Sequence, residues 1–147
     1  MVLLSGCITD RTPDQPRDAR PPAIPTTIPN NDPQLTNIRW KLIEINGRAV
    51  SEFGELNHDP YLMLDANTGR LGANAGCNSL MGSFELMPGG RIVFSPIAST
   101  MMACPQMELE HLFAQVLPKV ERYSIAGGIL SMGLARKTPM LRFSRNE

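Results

Sequence analysis

The placement of proline divides this chain before any other feature is read. Seven of its thirteen prolines fall between Pro13 and Pro33, and the other six are spread over the rest of the 147 residues. Proline removes a backbone donor and fixes φ, so a segment this dense in it supports neither a helix nor a strand ladder. With Asp, Arg, Thr and Asn between the prolines, residues 8–34 bury too little apolar surface to offset their ordering entropy. The expectation is a partly polyproline II tether, reaching about 30 Å as a coil and about 80 Å when drawn out. An N-terminal arm packed on the domain is the competing reading. Residues 35–144 remain, enough for one domain with a core of its own.

Within that domain the apolar pattern is mostly that of short strands. Ile38, Trp40 and Leu42 alternate with Arg39 and Lys41, the period of a half-buried strand. Asn46-Gly47 is a hairpin signal, because both residues tolerate positive φ. Tyr61–Asp65 and Arg70–Ala75 flank the turn Asn67-Thr68-Gly69. Leu80, Gly82, Phe84 and Leu86 share one face of a further strand, with Met81, Ser83 and Glu85 on the other. Pro88-Gly89-Gly90 turns the chain into Ile92-Val93-Phe94. Tyr123–Ile125 and Ile129–Met132 frame Gly127-Gly128 as another hairpin, and Pro139–Phe143 closes the set. Many short strands joined by regular turns imply a mainly β fold, a small antiparallel sheet curling into a barrel.

One segment departs from this period. Leu109, Leu112, Phe113, Val116 and Leu117 recur with helical spacing, giving one amphipathic helix over about 105–117. Pro105 suits a first helical turn, Glu108 and Glu110 suit the positive N-terminal end, and Pro118 suits a stop. The stripe is expected to lie against the sheet or plug one barrel end.

The three cysteines bear on location. Leu4-Ser5-Gly6-Cys7 has the small residues that precede the modified cysteine of a bacterial lipoprotein. The expectation is that residues 1–7 are the end of a shortened signal peptide, lacking its basic and apolar parts. Cys7 is then the lipid attachment site and the membrane partner is reached through it. Ile8, rather than Asp, follows the cysteine, which points to the outer membrane, facing the periplasm.

Cys77 and Cys104 lie 27 residues apart, on either side of a strand hairpin. In an oxidising compartment such a pair favours a disulfide. Two further readings stay open: free structural thiols, or a reactive Cys104 whose pKa is lowered at a helix N-terminus with His111 or His58 as base. Two thiols are too few for a structural zinc site, so no metal or other cofactor is expected. Nucleophile elbows, Walker loops, HExxH and dinucleotide fingerprints are missing, which leaves no catalytic residues to name. Fourteen basic residues balance fourteen acidic ones without a basic stripe, so nucleic acid is not an expected partner.

Gly76-Cys77-Asn78-Ser79-Leu80-Met81-Gly82-Ser83-Phe84 resembles the G-C-N-x-x-x-G-x-[FY] motif of the META domain family, that of HslJ-like envelope lipoproteins. Thr100-Met101-Met102-Ala103-Cys104 resembles its T-x-M-A-C motif. Glu110-x-x-Phe113, Tyr123-x-Ile125-x-Gly127 and Trp40-x-Leu42-x-x-Ile45-Asn46-Gly47 are similar too, in order, over about residues 35–144. The resemblance implies a compact barrel-like domain with one helix and associates it with envelope stress tolerance. It brings no catalytic residues. Gly128 stands where the family usually has an acid, and Ser131-Met132 blurs a Leu-x-Leu strand, so a looser terminal hairpin is expected. Read as residues, Gly76 and Gly82 suit a turn, bulge or close approach, and Asn78 suits a local backbone bond. Trp40 and Thr100 complete the motif positions with structural roles.

The expected function is a non-enzymatic binding or scaffold module of the bacterial envelope, with an envelope protein or lipid as partner. A small apolar ligand or lipid in the barrel mouth is the first alternative, and a thiol-based redox protein the second.

Overall fold

The computed structural model describes residues 31–56 and 58–145; Cys7, the signal-peptide reading and most of the tether lie outside them. The strands are β1 (Arg39–Ile45), β2 (Arg48–Ala49), β3 (Tyr61–Asp65), β4 (Arg70–Asn74) and β5 (Ser79–Met87). They continue with β6 (Arg91–Phe94), β7 (Ala98–Ser99), β8 (Arg122–Ala126), β9 (Ile129–Gly133) and β10 (Leu141–Arg145). The helix α1 (Glu108–Val116) falls between β7 and β8.

Eight strands run in the order β10-β9-β8-β6-β5-β4-β3-β1, and β1 pairs back with β10 to close an antiparallel barrel. Closure removes the two sheet edges that a short antiparallel sheet otherwise exposes. The closing ladder runs from Trp40↔Arg145 to Ile45↔Leu141, with an irregularity between Leu42 and Glu44. The turns carry the backbone their residues allow. Asn46 and Gly47 have φ of 50° and 82°, and Gly127 and Gly128 have 59° and 78°, as tight hairpins require.

Alternation sends one face of each strand inward. Leu62 and Leu64, Leu71 and Ala73, Leu80, Phe84 and Leu86, and Leu141 and Phe143 are buried in one core with Trp40 and Leu42. The helix delivers Leu109, Phe113, Val116 and Leu117 to this core, and the Phe113 ring lies 6.3 Å from that of Phe143. The barrel interior is thus filled with side chains.

Two details differ from the sequence reading. Helix α1 begins at Glu108 and not near Pro105, and beyond Val116 a 3-10 turn, Leu117–Lys119, carries the chain through Pro118. The disulfide at Cys104 holds that end of the segment against Cys77, and Pro105 disfavours helical backbone at the residue before it. The β8–β9 hairpin is also not loosened. Its ladder is unbroken from Arg122↔Gly133 to Ala126↔Ile129, because cross-strand bonding needs backbone and not the family's side chains.

The N-terminal turn starts inside the barrel's own packing. Leu35 is fully buried, and the Trp40 indole Nε1 donates to its carbonyl at 2.9 Å. The Tyr123 hydroxyl donates to Asp32 Oδ2 at 2.8 Å.

Candidate functional site

The densest polar cluster joins three separate segments: the β4–β5 loop, the strap between β7 and α1, and the first turn of α1. Asn78 is its centre. It is 2% exposed, and Glu110 of the helix is 4% exposed. The Asn78 backbone amide donates to Glu110 Oε1 at 2.7 Å, and Asn78 Nδ2 donates to Glu110 Oε2 at 2.5 Å. Nδ2 also donates to the Met102 carbonyl at 2.9 Å. Asn78 Oδ1 accepts from the Thr100 hydroxyl at 2.8 Å and from the Met102 amide at 2.6 Å. Thr100 Oγ1 in turn accepts from the Ser79 amide at 3.0 Å. Buried polar atoms left unpaired cost free energy, and here each finds a partner.

The disulfide lies next to this cluster. Cys77 and Cys104 are bonded, with Cα atoms 6.3 Å apart, so the strap is fixed to the β4–β5 loop covalently as well. With both sulfurs joined, neither serves as a thiolate nucleophile, and Cys104 precedes α1 rather than sitting in its first turn. His58 and His111 are both exposed.

Above the cluster the strap walls a groove of about 490 Å³, lined by Thr100, Met101, Met102, Met107, Glu110 and His111 among others. Met101 is 92% exposed and Met102 58% exposed. They are the two most exposed large apolar side chains among the described residues, and they are adjacent on a firmly held loop. The site's chemistry is that of a contact surface: an apolar rim, a histidine at its side, and a carboxylate already committed to Asn78.

A family model, META domain, matches residues 33–147. The chain belongs to the META domain family. Among solved structures it is similar to a protein from Burkholderia xenovorans determined by NMR, at 22% identity and a TM-score of 0.58. That match covers 90% of this chain and 98% of the other. It is also similar to a DUF4847 family protein from Bacteroides vulgatus, at 11% identity and a TM-score of 0.54, over 76% and 94%. At these identities both likenesses speak to the fold. No curated protein matches.

The two motifs of this META domain are the two sides of the cluster. Cys77 and Asn78 come from the first, and Thr100, Met102 and Cys104 from the second. Asn78 does not make the local backbone bond expected of it; it bridges to partners more than twenty residues away. Gly76 has φ of 116°, its amide donates to Asn74 Oδ1 at 2.6 Å, and a Cβ there would lie 3.3 Å from Leu56. Gly82 lies under the β6–β7 connection, where a Cβ would stand 2.9 Å from Ile97 Cδ1. Trp40 is away from the cluster, inside the barrel.

Glu110 was legible in the sequence as a motif position and a helix-start acid, but its pairing with Asn78 was not. Its place near a helix N-terminus already had an explanation in the helix dipole. The available signal was its position beside Leu109 and three residues before Phe113, on the edge of the buried stripe. Among the described residues, no group of three or more His, Cys, Asp or Glu is placed to hold a metal ion, and no helix is long and apolar enough to cross a membrane.

Proposed function

We propose that this META domain is a non-enzymatic binding module of the bacterial cell envelope, lipid-anchored through Cys7 at the outer membrane and facing the periplasm. The anchor reading is supported by Leu4-Ser5-Gly6-Cys7. The observation that carries the binding reading is the strap. Met101 and Met102 are held out to solvent by a loop that a disulfide and Asn78 both fasten. Methionine adapts to varied apolar surfaces, and exposed apolar groups on a fixed support form an interaction site. Its partner is an envelope protein presenting an apolar segment, and its role belongs to envelope stress tolerance.

The filled interior works against a ligand in the barrel mouth, and the joined cysteines work against a thiol nucleophile. A photo-crosslinking residue in place of Met101, expressed in the native cell, tests the binding reading. A discrete protein adduct is expected at Met101 and not at the outward-facing Glu85. Equal, diffuse labelling at both positions would refute it. Mass spectrometry of the mature N-terminus tests the anchor separately, since an unmodified Cys7 removes it.

A further inference from the structure

The barrel has one incomplete seam. Strands β6 and β8 share a single bridged pair, Arg91↔Arg122. It is flanked by the Tyr123 amide donating to the Gly90 carbonyl at 2.9 Å and the Ile92 amide donating to the Glu121 carbonyl at 3.0 Å. Beyond it the strands part, and the 3-10 turn and the loop after β9 border a groove of about 780 Å³. Its walls include Val93, Pro118, Leu134 and Ala135, and Val93 is 48% exposed.

That bond pattern makes Arg91 and Arg122 a non-hydrogen-bonded pair, whose Cα atoms lie about 4.5 Å apart with side chains on one face. Like charges directly opposite repel. Both guanidiniums are exposed, and neither has a carboxylate partner among the described residues; Arg122 Nη1 donates to the Gly89 carbonyl at 3.1 Å. Lys119 lines the same groove and is likewise without an ion pair there. Lys137 and Arg122 line an adjoining recess of about 250 Å³. Glu121 is the acidic residue of the lining and forms no ion pair with these cations. Of the other cations among the described residues, Arg70 and Arg136 stand outside the groove lining without an ion pair there, and the rest are matched. Lys41, Arg48 and Arg142 meet carboxylates, and Arg39 and Arg145 lie over aromatic rings.

We infer that the β6–β8 seam is a binding groove for the phosphate-bearing headgroup of an acidic phospholipid. Arg91 and Arg122 take the phosphate between them, Lys119 completes the positive rim, and the apolar walls meet the start of the acyl chains. A phosphate bridging the two guanidiniums relieves their repulsion and forms charge-assisted hydrogen bonds. The apolar wall distinguishes this site from one for free phosphate. It is a second surface, independent of the methionine strap.

The test is vesicle co-sedimentation of the full chain carrying Cys7→Ser, so that no anchor contributes. Vesicles of phosphatidylcholine alone are compared with vesicles containing phosphatidylglycerol. Binding is expected only to the second kind, and Arg91→Ala with Arg122→Ala should weaken it about thirtyfold. Arg70→Ala, a cation outside the groove, should leave it unchanged, and Val93→Asp should weaken it. Equal binding to both vesicles, or equal loss with Arg70→Ala, would overturn the proposal. So would chemical-shift changes at Arg91 and Arg122 with inorganic phosphate but no vesicle binding, which would assign the groove to the free anion. Because both arginines are exposed, their removal should keep or slightly raise the unfolding midpoint, and a variant that unfolds would refute the repulsion on which the site rests.

Discussion

Both oxygens of the Glu110 carboxylate accept hydrogen bonds from one residue, Asn78, through its backbone amide and its side-chain amide. The pair spans 32 residues and fastens helix α1 to the start of β5. Asn78→Ala leaves Glu110, the Thr100 hydroxyl and the Met102 amide short of partners. It should cost about 2–3 kcal/mol in urea unfolding. A double-mutant cycle with Glu110→Ala should give a coupling of about 1–3 kcal/mol, and additive losses would show the pair to be incidental.

Asn78→Asp is the sharper substitution. It keeps the shape and puts a second carboxylate against the first, where like charges in a buried site disfavour ionisation of both. Its stability should rise on acidification relative to the parent, the reverse of the effect of acid on most folded chains. Thermal melts of both proteins from neutral to acid pH check the sign.

The disulfide closes a loop of 27 residues. In the chain-entropy model this contributes about 3.5 kcal/mol. Cys77→Ser with Cys104→Ser should lower stability by up to that amount and raise the mobility of Met101 and Met102, measured by hydrogen exchange. Unchanged exchange across the strap would mean that Asn78 alone fixes it.

Gly82 is crowded by the far end of one side chain. Gly82→Ala should cost no more than about 1 kcal/mol, since the end of the half-buried Ile97 side chain can shift. Ile97→Val removes the Cδ1 that the new methyl would meet at 2.9 Å, so the double variant should recover much of the loss. Denaturant midpoints for the three variants decide this.

Tyr123 ties the barrel to Asp32, and its hydroxyl is held well above the ordinary phenol range. Burial is the main cause, followed by the hydrogen bond to Asp32 and that residue's negative charge. The folded value exceeds the unfolded value of about 10, so its contribution is complete below about pH 10 and is lost as pH rises further. Stability should therefore fall in alkali, and less so in Tyr123→Phe. Identical alkaline profiles for the two proteins would contradict this.

Much of the barrel was legible because its strands signal locally. Leu62 and Leu64 alternate with exposed or half-buried neighbours, and Asn46-Gly47 and Gly127-Gly128 adopt the positive φ that their turns need. The start of α1 was not, since Pro105 fits a helical first turn as well as it fits the extended strap that the disulfide imposes. The strap's two motifs and their Cys77–Cys104 link could be recognised, but not the bonds of Asn78, because its buried partner Glu110 lies on a helix whose acidic first turn needs no partner. The cationic seam was invisible for a related reason. Arg91 and Arg122 are distant in sequence, and an evenly balanced composition conceals a pair that only barrel closure sets side by side.

The N-terminal turn has a mechanical consequence. Tension applied to the chain ahead of Asn31 meets the Asp32–Tyr123 bond first, and then the Leu35 carbonyl gripped by the buried Trp40 indole. The bonds of Asn37 to Leu64 and Ala66 follow, and only then does the load reach the β1–β10 ladder that closes the barrel, at its Trp40↔Arg145 end. The turn thus acts as a strain relief, taking up a pull on the N-terminal side before the barrel's closing seam feels it.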